Sequence, residues 1–302
     1  MAPRGKVTAL TLWYTFNRDP QRKVQVSSES ISYINNLYTT ATYFGVPLVV
    51  FHDALTEEFV AKYTNEYVSF EHAIPDPSMS TNDFRFFPYL EYVKEHDFDT
   101  VLMVDASDVW FNSDPFSYIQ EHEGPQDQLF MSYENSDFEH DSWKVPECYG
   151  DAARSWPKGL QMYNAGVWGG KGPAIQCVLK CINNQLDGPL RGHGNCDMPA
   201  VNYCVHFGQC QSESVPIVHK NPKFVNPMWR QCTDSFSVIH NKCSNTQYLT
   251  TIKIEDGEVV MDIREKTKEE IEARKIKRNE VFHLRAMRAM RAERKRNRKD
   301  QA

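Results

Sequence analysis

The 302 residues predict an α/β fold with a mostly parallel sheet and a basic helix at the C-terminus. Three observations predict it. Short apolar runs recur at residues 7–14, 47–51 and 101–104, each of strand length. Stretches with apolar residues at helical spacing separate them, and strands that alternate with helices in this way imply βαβ units. A hydrophobic content of 41% supplies a core large enough for one substantial domain.

The elements follow in order. Residues 7–14 read as a first strand, and 15–23 as a polar loop. Residues 27–41 read as a helix with Ile31, Ile34, Leu37 and Tyr38 on one face. A buried strand at 47–51, a short helix at 56–62 and a strand at 67–71 come next, then an aromatic-rich helix at 82–95. The apolar run 101–104 closes on Asp105, with Asp108 three residues later. Asp114-Pro115 suits a helix start, because proline is tolerated in the first turn. Residues 128–133 look like a strand, and 134–160 form a polar segment too long for a simple connector, hence a candidate binding loop. Residues 163–170 (YNAGVWGG) read as a strand edge, 173–184 as a helix, 192–195 as a Gly-rich turn and 198–204 as a helix. Asp256-Gly257 joins a hairpin of residues 251–254 and 259–263. Residues 266–299 read as one helix, with Arg285, Arg288 and Arg291 along it.

Charge divides the chain into a domain at 1–263 and a basic helical tail at 264–302. The tail carries 15 Lys/Arg against 7 Asp/Glu, so the formal −6 of the whole chain leaves −14 for the domain. An acidic body argues against specific nucleic-acid binding, which draws its affinity from Lys and Arg on phosphates. The tail is either a solvated helix or a peripheral contact with an acidic membrane surface. GxGxxG and GxxxxGK[ST] are both missing, which disfavours a dinucleotide dehydrogenase and a P-loop NTPase. The sequence shows no signal peptide or membrane span, which points to the cytoplasm as the chain stands. Yet all eight cysteines lie between Cys148 and Cys243, a clustering that permits disulfides and a secretory compartment. The Golgi or ER lumen fits if an anchor has been removed. Cys177, Cys181, Cys204 and Cys210 lack the paired spacing of a zinc site.

Chemistry gathers around Asp105 and Asp108. A strand that ends in acids places them at a sheet edge, where α/β folds bind ligands. Two carboxylates there repel unless a cation lies between them, and hard divalent ions choose oxygen ligands. Further along come Asn164-Ala165-Gly166, then Asp197, then His240 after the apolar run FSVIH, with Lys242 two residues on.

In that order these motifs resemble the metal-dependent nucleotide-sugar glycosyltransferases of the GT-A fold. The similarity is greatest to families with a DxxD motif, such as the glycosyltransferase domain of procollagen lysyl hydroxylases. It spans roughly residues 7–245 as an order of elements, and its sharp motifs are DASD, NAGVWGG and the late histidine. The resemblance implies a three-layer sandwich around the sheet, Mn²⁺ (or Mg²⁺), a donor such as a UDP-sugar, and a glycan or glycoprotein acceptor. Residue by residue it implies Asp105, Asp108 and His240 as metal ligands, and Ala106 and Ser107 near the ribose. It puts Lys242 at the diphosphate, Arg85 at the donor, and Asn164 and Gly166 against the donor sugar. Asp197 is the first candidate general base, and an acid within 134–141 the second. Ser107 stands where the commoner DxD motif has its second acid, so Asp108 is expected to face the metal.

Each assignment has a plainer rival. His240 could be a satisfied core histidine, and His219 in VPIVHK repeats the strand-then-His pattern. Asn164 and Gly166 could simply turn the chain. Asp197 could cap a helix, and Arg85 could pair with Asp83. At the level of function, the alternatives are a metal-dependent nucleotide-sugar hydrolase or nucleotidyltransferase, and a non-catalytic carbohydrate-binding module on the same fold.

Overall fold

A computed structural model describes residues 5–18, 25–122, 128–137, 144–208, 217–219, 224–225, 237–240, 248–255 and 258–265. In chain order the first half holds β1 (Val7–Trp13), α1 (Asn35–Phe44), β2 (Leu48–His52), α2 (Glu57–Tyr63) and β3 (Val68–His72). It continues with α3 (Thr81–Phe84), α4 (Phe86–His96), β4 (Thr100–Val104), β5 (Val109–Phe111) and α5 (Pro115–His122). The second half holds β6 (Gln128–Asp137), α6 (Val145–Tyr149), β7 (Gln161–Lys171), α7 (Gly172–Asp187) and α8 (Asp197–Phe207). The strands β8 (Ile217–His219), β9 (Val238–His240), β10 (Tyr248–Glu255) and β11 (Glu258–Glu265) complete it. Contacts divide the chain into Met1–Ser244 and Asn245–Ala302. The second unit contains the antiparallel hairpin β10–β11, which the sequence places in the first domain. The helix expected over 266–299 lies outside the described residues.

Seven strands form the main sheet in the order β3-β2-β1-β4-β7-β6-β8. The pairs β3·β2, β2·β1, β1·β4 and β6·β8 are parallel, whereas β7 runs antiparallel to both β4 and β6. The sheet is therefore mixed, with β7 reversed against its neighbours. The connection from β6 to β7 spans residues 138–160 and carries α6, so chain order does not impose the reversal; it is set by the pairing of β7 with both β4 and β6.

Both faces of the sheet are covered, which explains the unbroken apolar runs. Successive residues of β4 point to opposite sides, Val101 and Met103 into one core cluster and Leu102 and Val104 into the other. The first cluster takes in residues of α4, α7 and α8, the second residues of α1 and α5, so helices, sheet and helices make three layers.

Two expected helices are cut short for local reasons. The stretch 27–41 does not begin as a helix, because Ser27 and Ser30 accept hydrogen bonds from the backbone N–H of Glu29 and Ser32. A single 3₁₀ turn follows at Ile31–Tyr33, and α1 starts at Asn35. The stretch 82–95 splits into α3 and α4 around Arg85. Pro88 has no N–H to offer the Phe84 carbonyl, and its ring crowds that position. The break gives Arg85 its place between the two helices.

Within 134–160, β6 runs on to Asp137, and α6 and a 3₁₀ segment at Gly150–Ser155 follow. Disulfides Cys148–Cys196 and Cys181–Cys204 tie α6 to the start of α8 and α7 to α8. Cys177 is also disulfide-bonded, and among the described residues no cysteine is free. No helix among them is long and apolar enough to cross a membrane.

Candidate active site

From β1 the chain moves outward to β2 and β3, then returns to lay β4 on the other side of β1. Between the carboxyl ends of β1 and β4 the direction of winding reverses, and that is where open α/β sheets leave a crevice for ligands. A cleft lies there. Leu12, Tyr14 and Asn17 line it from the β1 side, Arg85 and Tyr89 from α4 and the residue before it, and Asp105, Ala106, Ser107 and Asp108 from the β4 side. Its cavity volume is about 50 Å³, a narrow crevice well below the ~300–1,000 Å³ usual for small-molecule pockets.

Asp105, Asp108 and His240 converge at one end. The backbone N–H of Asp105 donates to the Gly166 carbonyl at 2.7 Å, which fixes the turn as the chain leaves β4. That turn leads into β5, whose Val109 pairs with His240 of the antiparallel β9. The pairing brings the fully buried His240 Nε2 to 3.4 Å from Asp105 Oδ2 and 3.7 Å from Asp108 Oδ1. One ligand atom from each residue lies within 4.8 Å of the others. Two carboxylates and an imidazole form a donor set that suits Mn²⁺ or a similar divalent ion. These three residues could hold a metal ion, as the resemblance implies.

Gly166 makes room for them. A Cβ at this residue would stand 2.3 Å from His240 Cε1 and 2.6 Å from Asp105 Oδ2. Gly166→Ala is accordingly expected to displace both side chains and weaken Mn²⁺ binding at least tenfold, as a metal titration would show. Unchanged affinity would show that the cluster tolerates the added methyl. Asn164 stands beside it: its Oδ1 accepts from the Gly166 N–H at 2.7 Å, and its Nδ2 donates to Glu134 Oε1 at 2.7 Å. Asn164 and Gly166 lie within β7, so neither turns the chain.

Arg85 does not pair with Asp83. Its guanidinium reaches Asp105 Oδ1 at 2.5 Å, Asp197 Oδ2 at 2.9 Å and the Ala165 carbonyl at 3.1 Å. Burial alone would lower its pKa, but the two carboxylates more than offset this and hold it charged. Asp197 is the first residue of α8, following Cys196 at the cap, and is 5% exposed. Its Oδ2 is already engaged by Arg85, a poor arrangement for the general base it was expected to be.

Asp83 is the neighbour that sequence reasoning undervalued. Burial first, and then Asp197, push its pKa up to about 6, against hydrogen bonds from Ser80, Asn195 and Cys196 that pull it down. The folded value lies above the unfolded one. The stabilising contribution is thus complete below about pH 4 and is lost as pH rises through 6. Asp83→Asn is expected to flatten stability between pH 4 and 7 and to raise it at pH 7.5 by up to about 3 kcal/mol. Melting curves in EDTA at several pH values check this, and an unaltered pH profile would refute it.

Asp53 was missed as well. It follows β2 as Asp105 follows β4, and it accepts from the N–H groups of Thr15 and Phe16 at 2.9 and 2.8 Å, so it fixes the segment after β1 that borders the cleft. The same signal, an acid just beyond an apolar strand, marked both. Burial raises the pKa of both cleft tyrosines, Tyr14 and Tyr89, with Asp53 adding to the effect on Tyr14.

His219 lies on β8, three strands from β4, or about 14 Å across the sheet. His240 is thus the histidine that reaches the two acids. Lys242 lies outside the described residues. No family model matches the chain, and no curated protein matches it.

Proposed function

We propose that this protein is a metal-dependent glycosyltransferase of the GT-A type, which moves a sugar from a nucleotide diphosphate donor, a UDP-sugar in the first instance, to a hydroxyl acceptor. The observation that carries this reading is the Asp105/Asp108/His240 cluster at the rim of the switch-point cleft. It supports the motif resemblance because it joins the DASD motif and the late histidine, far apart in sequence, in one donor set. A crevice at the switch point beside a hard-cation donor set suits a substrate that carries phosphates.

Asp105, Asp108 and His240 would hold the ion. When bound, the cation supplies a Lewis acid for the negative charge that builds on the departing diphosphate. The chain's own residues do the rest. Ala106 and Ser107 face the cleft as donor contacts. Asn164 fixes the half-buried carboxylate of Glu134, which replaces Asp197 as the base for an acceptor hydroxyl if configuration inverts. The disulfides support an oxidising compartment such as the Golgi or ER lumen, where glycan and glycoprotein acceptors are found. The basic tail is proposed as a peripheral contact with acidic membrane surface.

The test is a thermal-shift screen against UDP, GDP, CMP and ADP, each with Mn²⁺ and with EDTA. A ligand at about 100 times its dissociation constant stabilises by about 2.7 kcal/mol. Stabilisation by one nucleotide only with Mn²⁺ supports the reading and names the donor class. No response to any of them overturns it in favour of a binding module.

A further inference from the structure

We infer that Arg85 and Asp197 form a buried brace that positions Asp105 for the ion, and that Asp197 acts through Arg85 as a positioning residue. The inference rests on the metal site proposed above, and not on what is transferred there.

A carboxylate offers two oxygens, and Asp105 divides them. Its Oδ1 meets Arg85 Nη1 at 2.5 Å, while its Oδ2 faces His240 Nε2 at 3.4 Å. The terminal torsion of an aspartate is broad and roughly two-fold, so nothing intrinsic to Asp105 fixes which way its oxygens point. The planar guanidinium does so, because its donors lie in a fixed fork. Arg85 is itself held. Its Nη2 bonds Asp197 Oδ2 at 2.9 Å and the Ala165 carbonyl at 3.1 Å, and its side chain is only 9% exposed. One side chain, set at the junction of α3 and α4, therefore joins the end of β4, the centre of β7 and the first turn of α8. Cys196, the residue before Asp197, is anchored in turn by its disulfide to Cys148 in α6.

Charge points the same way. At neutral pH Asp105, Asp108, Asp197 and the adjoining Asp83 outnumber the single positive charge of Arg85, an excess of negative charge that favours a cation. Without the charge of Asp197, the Arg85 guanidinium would stand beside the ion less compensated and would repel it more strongly. Loss of orientation and loss of compensation both predict weaker metal binding, although Asp197 is no ligand.

The experiment is a Mn²⁺ titration of the full chain without nucleotide, with free Mn²⁺ followed by electron paramagnetic resonance. Wild type is compared with Asp197→Asn, Arg85→Lys, the double variant, and Asp108→Asn as the zero reference. We expect Asp197→Asn and Arg85→Lys each to raise the dissociation constant about tenfold, the scale typical of residues that orient a metal ligand. The double variant should be no weaker than the weaker single one, because both changes break the same chain of contacts. Should Asp197→Asn fail to fold, Asp197→Glu, which keeps the charge and shifts its reach by one methylene, carries the same test. A variant that melts earlier yet binds Mn²⁺ as wild type does would show a purely structural role and overturn the proposal, and so would additive losses. If wild type binds no better than Asp108→Asn, the metal reading and the brace fall together. Normal wild-type binding with unchanged Asp197→Asn affinity removes the brace alone.

Discussion

Asp108→Asn is expected to abolish Mn²⁺-dependent nucleotide binding, by about 100-fold or more, while the fold persists. The substitution keeps the size of the side chain and removes its anionic charge, which is what a hard cation selects. Asp108 lies in the turn between β4 and β5, outside the apolar clusters, so no core packing is lost. The metal-free protein should even gain slightly in stability. Asp105 and Asp108 lie within one ligand cluster, and their repulsion is relieved when one becomes neutral. That pairing of effects, a higher melting temperature in EDTA and no further rise with Mn²⁺ and nucleotide, is the signature to measure. His240→Ala should act in the same direction with a loss of about 10–100-fold, because the two carboxylates remain. A Mn²⁺-dependent shift that survives Asp108→Asn would place the ion elsewhere.

Arg85→Met is expected to destabilise the fold by about 3–5 kcal/mol at neutral pH, the usual cost of leaving a buried carboxylate without its partner. The side chain is replaced by one of similar length, so the lost packing is small. Two acids are stranded instead of one: Asp197 at 7% side-chain exposure and Asp105 at 20%. Asp105 can recover some hydration through the cleft, whereas Asp197 cannot, so most of the cost falls on Asp197. Denaturant unfolding in EDTA measures it. A loss under about 1 kcal/mol would mean that the ion pairs are solvated and contribute as weakly as surface pairs do.

The site was legible in the sequence where chain order and local pattern carry the information. Asp105 closes an apolar run with Asp108 three residues later, and His240 closes another run. Their meeting required one further fact, the antiparallel pairing of β5 with β9, which no local pattern displays. Glu134 and Asn164 are 30 residues apart, and only the packing of β6 on β7 brings them within 2.7 Å. Asp53 carries the same signal as Asp105, an acid just beyond an apolar strand, but belongs to none of the motifs that mark the site.

By itself the sequence determined the alternation of strands and helices, the apolar faces, and the placement of acids at strand ends. These depend on hydrophobic period and on the conformational limits of single residues, which act over a few positions. The break at Arg85 also has a local cause, Pro88, although the helical spacing of 82–95 does not display it. The tertiary structure alone decided the reversal of β7, the disulfide partners, and the roles of Arg85 and Asp197. Arg85 finds Asp105 20 residues away, Ala165 80 residues away and Asp197 112 residues away. Those partners are set when helices close over both faces of the sheet and a buried charge must meet its opposite, a condition on the whole packed core that no short stretch of sequence contains.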